Sequence, residues 1–195
     1  MMKKSLLMSA VLGGAIVFIW GAISWMVIPW HAPTMLKFHD EETVAGVIKK
    51  NAPEDGIYVL PSYPSFKEPV AKEAEQKEMA ELREKMKKGP FIFASVNLHG
   101  MDPQSPLLYV RSIIIQMIGA FFVSYLLMHT SGLTYFKRVW FVMITALIAW
   151  IICLLPAWNW WGFSTCYVIV ALLDLLIGWF LAGLVIAGLI RSKKS

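Results

Sequence analysis

Charged residues are scarce in this chain. Only 16% of its 195 residues are Asp, Glu, Lys or Arg, whereas a typical soluble domain carries about 25%. Hydrophobic residues make up 57% and the mean hydropathy is +0.59. These values exclude an ordinary soluble globular protein.

Cysteine and catalytic motifs are also scarce. Cys153 and Cys166 are the two cysteines, so no disulfide framework or CxxC pair is present. We interpret both as small residues in helix packing, with a bridge between them as the alternative in an oxidising compartment. The sequence has no nucleophile elbow, P-loop, dinucleotide-binding fingerprint or zinc ribbon. We therefore expect neither an enzyme nor a bound cofactor.

Long apolar runs are abundant. Each run approaches the roughly 20 residues that a helix needs to cross about 30 Å of hydrocarbon. The pattern predicts an all-α membrane fold, a bundle of four transmembrane helices with a polar insert between the first two. The helices are predicted at 5–28, 107–130, 139–157 and 164–190, and the insert at 31–106. The uncharged stretch of the first run is too long for a usual signal peptide, so we expect it to be retained.

The distribution of Lys and Arg predicts the orientation. The insert holds ten Lys or Arg and twelve Asp or Glu, so the net charge of +5 comes from elsewhere. Most of the other basic residues flank the apolar runs, at 3–4, 137–138 and 191–194. The positive-inside rule then puts both termini in the cytoplasm and the insert outside. We predict a multi-pass protein of the bacterial inner membrane with a periplasmic insert, and no nucleic-acid partner.

Local signals predict a small α+β domain in the insert. Asp40 is a suitable N-cap for a helix at about 41–50. A charged helix is expected at about 67–88, where Gly89 and Pro90 end it. Short apolar segments predict strands at 57–60 and 91–97.

Asp174 is the most informative polar residue. It lies about ten residues into the fourth apolar run, near the bilayer centre. A carboxylate at this depth is by default a functional candidate, for a proton or cation pathway or for pairing with another subunit. The alternative is a neutral Asp174 that holds the helices together through Gln116 or Thr145, which lie at comparable depth.

Histidines and tryptophans supply weaker candidates. A zinc or copper site is conceivable from His31, His39, His99 and Asp102, but no metal-binding spacing joins them. We therefore expect surface or interfacial histidines and no metal. An aromatic belt at the membrane interface is predicted at Trp158, Trp160 and Trp161.

Several segments carry a family resemblance. They are WNWWGF at 158–163, LIGWFLAGLVIAGLI at 176–190, and IYVLP and GPFIF in the insert. With them the chain resembles an uncharacterised group of small bacterial four-span membrane proteins. No activity is known for that group, so the resemblance implies only the fold and the topology.

Three functions are compatible with these features. We expect first a non-enzymatic accessory or scaffold subunit of an inner-membrane complex, which presents its outer domain for protein–protein interaction. Its partners would be membrane lipid and either another membrane protein or further copies of itself. The alternatives are a small transporter or ion pathway that uses Asp174, and an extracytoplasmic metal-binding protein that uses His31, His39 and His99.

Overall fold

The computed structural model describes residues 2–65 and 71–190. Besides a single 3-10 turn at Ala32–Thr34, six α-helices and two strands follow one another along the described chain. They are α1 (Met2–Met26), α2 (Glu41–Asn51), β1 (Gly56–Leu60), α3 (Lys72–Lys88), β2 (Ile92–Val96), α4 (Pro106–Met128), α5 (Tyr135–Trp161) and α6 (Thr165–Leu189).

Four of these helices match the predicted membrane spans. The helices α1, α4, α5 and α6 contain apolar segments of 23 to 27 residues, long enough to cross a membrane. Their surfaces carry many exposed Leu, Ile, Val and Phe side chains, as expected for contact with lipid. The prediction of a multi-pass, all-α membrane protein is confirmed at this level.

The helix α5 begins earlier than the sequence predicted. The expected span was 139–157, with Lys137 and Arg138 in a loop, whereas the helix starts at Tyr135. Arg138 instead folds back from the first turn of α5. Its guanidinium donates to the carbonyls of Leu133 at 2.9 Å and of Ala187, in the last turn of α6, at 3.1 Å. A cation suits this position because carbonyls at a helix C-terminus lack partners within the helix.

The same helix also ends later than predicted. Pro156 was expected close to its end, but α5 continues through Pro156 to Trp161. One proline removes a single backbone N–H, which transmembrane helices tolerate. The turn is made by Gly162, whose φ of +69° lies in the left-handed region. Ser164 then caps α6, since its hydroxyl accepts a hydrogen bond from the backbone N–H of Tyr167.

The helix α1 packs closely against α4 and α6 through glycines. A Cβ atom on Gly14 would lie 2.6 Å from the backbone of Met117 in α4. A Cβ on Gly13 would lie 2.8 Å from Ile186 in α6 and 3.2 Å from Ala120 in α4. Small residues allow this approach, and membrane helices depend on it because lipid supplies no hydrophobic drive for association.

The densest packing occupies one half of the four-helix unit. Its buried side chains come from the end of α4, the start of α5 and the end of α6. They include Leu127, Val142, Ala146, Ala182 and Ile186, none more than 4% exposed. The half that contains the end of α1 and the start of α6 is packed less densely and holds the site described below.

A second compact unit comprises Lys37–Met101 together with Trp160–Gly162. The strands β1 and β2 pair antiparallel, with Gly56 opposite Val96 and Leu60 opposite Ile92. The helix α3 begins at Lys72, because Ala71 is extended. The predicted helix started at 67, and its residues 67–70 lie outside the described residues.

Asp40 caps α2. Its carboxylate accepts hydrogen bonds from the Thr43 hydroxyl at 2.6 Å and from the Thr43 backbone N–H at 2.9 Å. These bonds favour the ionised form and hold the pKa of Asp40 below its ordinary value. The cap therefore stabilises the start of α2 at neutral pH, and this contribution disappears when acid protonates the carboxylate.

Candidate functional site

Asp174 lies inside the four-helix unit. It is the tenth residue of α6, about 14 Å along the helix from Thr165. Its side chain is 20% exposed, a substantial fraction for a carboxylate within a bundle of apolar helices. This exposed part faces a cavity, since Asp174 is one of the residues that line it.

Trp20 of α1 is the hydrogen-bond donor to Asp174. Its indole N–H lies 2.7 Å from Oδ1 of Asp174 and 2.9 Å from the backbone carbonyl of the same residue. Gly178, one turn further along α6, makes room for the indole: a Cβ there would lie 2.8 Å from Cδ1 of Trp20. The pair of Trp20 and Gly178 thus fixes the position of the carboxylate.

A second polar group lies next to Asp174, around Ser24 and His31. The indole N–H of Trp30 donates to the hydroxyl of Ser24 at 2.9 Å, and Nε2 of His31 lies 2.9 Å from the same hydroxyl. The imidazole is stacked on Trp25, with ring centroids 3.8 Å apart. Ser24 is fully buried and His31 is 5% exposed, so this group is shielded from solvent and His31 is not the surface histidine that the sequence suggested.

His31 lies between Ser24 and Asp174. Its Nε2 is 2.9 Å from the Ser24 hydroxyl, and the tautomer of the ring decides which of the two groups donates. The distance from Nε2 to Oδ2 of Asp174 is 3.7 Å, too long for a hydrogen bond. His31 therefore borders the carboxylate.

A cavity of about 550 Å³ contains both groups. Its wall is built from all four long helices and is mostly aromatic and aliphatic, with Ser112 and Gln116 of α4 as additional polar side chains. The densely packed half of the unit begins beyond it, at Ala146 of α5 and Ala182 of α6. The cavity is thus blocked toward the start of α5 and reaches toward the end of α1, where Met26 and His31 contribute to its wall.

The structure brings only some of the predicted residues together. Gln116 lines the same cavity as Asp174. Thr145, the other expected partner, donates its hydroxyl hydrogen to the Val142 carbonyl of its own helix at 2.7 Å. Neither is the donor to Asp174, and the expected partnership is corrected to Trp20. Trp20 can reach Asp174 because Gly178 has no side chain and leaves space for the indole on the surface of α6.

The other predicted residues lie elsewhere. His39, His99 and Asp102 are exposed, and Asp102 accepts a hydrogen bond from the backbone N–H of Gln104 in a local turn. Within residues 2–65 and 71–190, no group of three or more His, Cys, Asp or Glu side chains is arranged to hold a metal. Both cysteines are free and exposed, so the interpretation of them as residues in helix packing is wrong.

The tryptophans expected at the membrane interface lie around the end of α5. Trp158, Trp160 and Trp161 are between 36% and 73% exposed. Trp158 donates its indole N–H to the Thr165 hydroxyl at 3.1 Å, which joins the end of α5 to the start of α6. Trp160 is the most exposed of the three, whereas Trp161 is stacked on Phe93, with ring centroids 4.6 Å apart.

Sequence analysis missed Trp20, Ser24 and Trp30 as parts of the site. One signal was present, because an indole N–H within an apolar helix needs an acceptor. Asp174 is a suitable acceptor at a comparable depth, and Gly178 follows it by one helical turn. The contact between Ser24 and His31 had no such signal, since it depends on how the chain turns after α1.

Comparisons of this chain with protein-family models, with curated proteins and with solved structures found no match.

Proposed function

We propose that this chain is a small transporter or ion pathway that binds a cation at Asp174. The observation that supports this is the partly exposed Asp174 carboxylate in the wall of an intramembrane cavity. An ionisable side chain at this depth raises the free energy of membrane insertion, and such residues mark ion and substrate pathways. Transporters place their binding sites near the bilayer midplane, which is the depth expected for Asp174.

The blocked cavity fits one state of an alternating-access cycle. Its far end is filled by side chains of α5 and α6 that are almost fully buried, including Val142 and Ile186. The packed half therefore separates the cavity from the start of α5 in this conformation. Release to the other side requires a movement of helices within that packed half.

We also propose the topology that the basic residues favour. Both termini and the loop before α5 lie in the cytoplasm of a bacterial cell, and the insert 31–106 forms a periplasmic α+β domain. Lys137 and Arg138, at the start of α5, support the cytoplasmic location of the loop that precedes this helix. In this orientation the densely packed half of the unit lies on the cytoplasmic side of the cavity. The resemblance to small bacterial four-span proteins supports the same arrangement.

Asp174→Asn is expected to abolish transport and preserve the fold. The amide oxygen can still accept the hydrogen bond from Trp20, but the negative charge is lost. Electrical currents are measured with proteoliposomes on a solid-supported membrane, after jumps in pH, sodium chloride or choline chloride. We expect a current from the wild type for at least one cation and none from the variant.

Thr145→Val is the matched control for this experiment. It removes a polar atom from a transmembrane helix without touching the cavity, because Thr145 bonds only within α5 among the described contacts. Its currents should equal those of the wild type. Equal currents from wild type and Asp174→Asn, or wild-type currents no larger than those of empty liposomes, contradict the proposal.

An accessory or scaffold role is the second candidate, and the surface of α2 favours it. The apolar stripe of this helix contains Val44, Val47 and Ile48, yet no residue of α2 is buried. Val47 is 57% exposed and Ile48 is 37% exposed. An apolar face of this kind on a polar insert suits contact with a protein.

Native mass spectrometry in mild detergent separates the two candidates. A stable partner or oligomer that is lost in Val47→Glu, with no current from the wild type, favours the accessory role. A monomer that carries current contradicts it.

A further inference from the structure

We infer that the cavity at Asp174 binds an alkylammonium group, which makes small organic amines the substrate class. This inference rests on the proposed role of Asp174 as the cation-binding residue. It adds the chemistry of the ligand, which the position of a single carboxylate does not specify. The relevant features are the charge in the cavity, the nature of its wall and its size.

The charge in the cavity comes from Asp174. Tyr109, Tyr167 and His31 are the other titratable residues in the described wall, and Nε2 of His31 lies 2.9 Å from the Ser24 hydroxyl. The indole N–H of Trp20 donates a hydrogen bond to Oδ1 and holds the carboxylate in place. Oδ2 remains available to a ligand, since its distance of 3.7 Å to His31 is beyond hydrogen-bond range.

The wall around this charge is rich in aromatic rings. Six Trp and Tyr side chains line the cavity, namely Trp20, Trp25, Tyr109, Trp150, Tyr167 and Trp179. The faces of such rings attract organic cations, and aromatic cages are the usual sites for quaternary ammonium groups. A carboxylate beside aromatic walls suits a ligand with a diffuse positive charge and an apolar surface.

The same features disfavour other cations. Calcium and magnesium require several oxygen ligands, and within residues 2–65 and 71–190 no group of three or more acidic, His or Cys side chains is present. A guanidinium group prefers two parallel bonds to a carboxylate, but Oδ1 of Asp174 is already occupied by Trp20. An alkylammonium group needs only one carboxylate oxygen.

The size of the cavity suits a small organic molecule. Its volume of about 550 Å³ lies within the range of about 300–1,000 Å³ typical of ligand pockets. Gly21 of α1 lines it, and a Cβ there would meet no atom within 4 Å. A larger side chain at this position would therefore extend into empty space and occupy the site of the ligand.

Choline and its uncharged isostere provide a direct test. The full-length protein is placed in phosphatidylglycerol nanodiscs, and binding of tritiated choline is measured by scintillation proximity. We expect saturable binding that unlabelled choline displaces and 3,3-dimethylbutan-1-ol does not. The alcohol has the same shape without the positive charge, so equal displacement by both overturns the inference.

Three variants assign the binding to this cavity. Asp174→Asn should weaken choline binding about thirtyfold or more, as expected when one partner of a buried charge pair is removed. Gly21→Leu should abolish binding by filling the cavity. Gly188→Leu is the matched control, because Gly188 on α6 also has nothing within 4 Å and is not part of the cavity wall; it should bind like the wild type. Unchanged binding in Asp174→Asn or in Gly21→Leu contradicts the inference.

The ligand could be a free amine or the headgroup of a lipid, and a second arm separates them. Nanodiscs of phosphatidylethanolamine replace those of phosphatidylglycerol. Native mass spectrometry then identifies the lipid that stays bound to the protein from its mass. Asp174-dependent retention of phosphatidylethanolamine, together with loss of choline binding, identifies the headgroup. Choline binding in both lipids identifies a free amine.

The outcomes also separate this inference from the proposed function. Absence of both choline binding and phosphatidylethanolamine retention, with currents carried by protons or sodium, overturns the inference and leaves the transport proposal intact. Choline binding without any current supports the inference and overturns transport.

Discussion

Gly14→Val is expected to destabilise the four-helix unit strongly. The new side chain would begin 2.6 Å from the backbone of Met117, and a backbone cannot move aside as a flexible side chain can. α1 and α4 would have to separate along their contact. Overpacking typically costs about 1–3 kcal/mol, and occasionally more. We expect a melting temperature several degrees lower, or loss of the monodisperse protein, in detergent-based thermal unfolding.

Gly21→Val is the matched control for stability. It makes the same substitution two helical turns later on α1, where a Cβ meets no atom within 4 Å. Its melting temperature should stay close to that of the wild type. If Gly14→Val and Gly21→Val have the same melting temperature, α1 and α4 do not approach each other as closely as described.

Trp20→Phe is expected to weaken cation binding by about ten- to one-hundredfold. The substitution keeps an aromatic ring beside Gly178 but removes the N–H that donates to Asp174. Hydrogen bonds to charged groups contribute about 1.5–3 kcal/mol, which corresponds to that range of affinity. Without this hydrogen bond the carboxylate is held in place less firmly. Equilibrium binding of tritiated choline in phosphatidylglycerol nanodiscs measures the effect.

Trp158→Phe controls for the loss of an indole. Trp158 also donates a hydrogen bond, to the Thr165 hydroxyl, but it is not part of the cavity wall. This variant should bind choline like the wild type. Full affinity in Trp20→Phe would show that the Trp20 hydrogen bond does not support the site.

The membrane helices were the most predictable part of this protein. Their apolar runs are long, and the scarcity of charge within them leaves few alternatives. The limits of α5 were not predictable, because Lys137 and Arg138 resemble loop residues in the sequence. Arg138 lies in the helix because its guanidinium finds carbonyl acceptors at Leu133 and Ala187, and the second of these is distant in sequence.

The site was predictable only in its central residue. Asp174 stands out in any sequence because a carboxylate is rare within an apolar run. Its partner Trp20 lies 154 positions away and is one of nine tryptophans. The choice among them depends on the angle between α1 and α6 and on the space above Gly178. The cavity arises from packing that is less dense in one half of the bundle, which no residue pattern encodes.

Chemical labelling at position 174 tests the central claim most directly. The claim is that this side chain opens on a cavity that aqueous cations can enter. The free, exposed Cys153 and Cys166 are first replaced by serine, and Asp174→Cys is introduced. A membrane-impermeant trimethylammonium methanethiosulfonate reagent is then added from the periplasmic side.

The matched control is Ala182→Cys, two turns further along α6 at a position that is fully buried. We expect rapid modification of the thiol at position 174 and no modification of the thiol at position 182. A thiol at position 174 that stays as unreactive as the buried control would contradict the account.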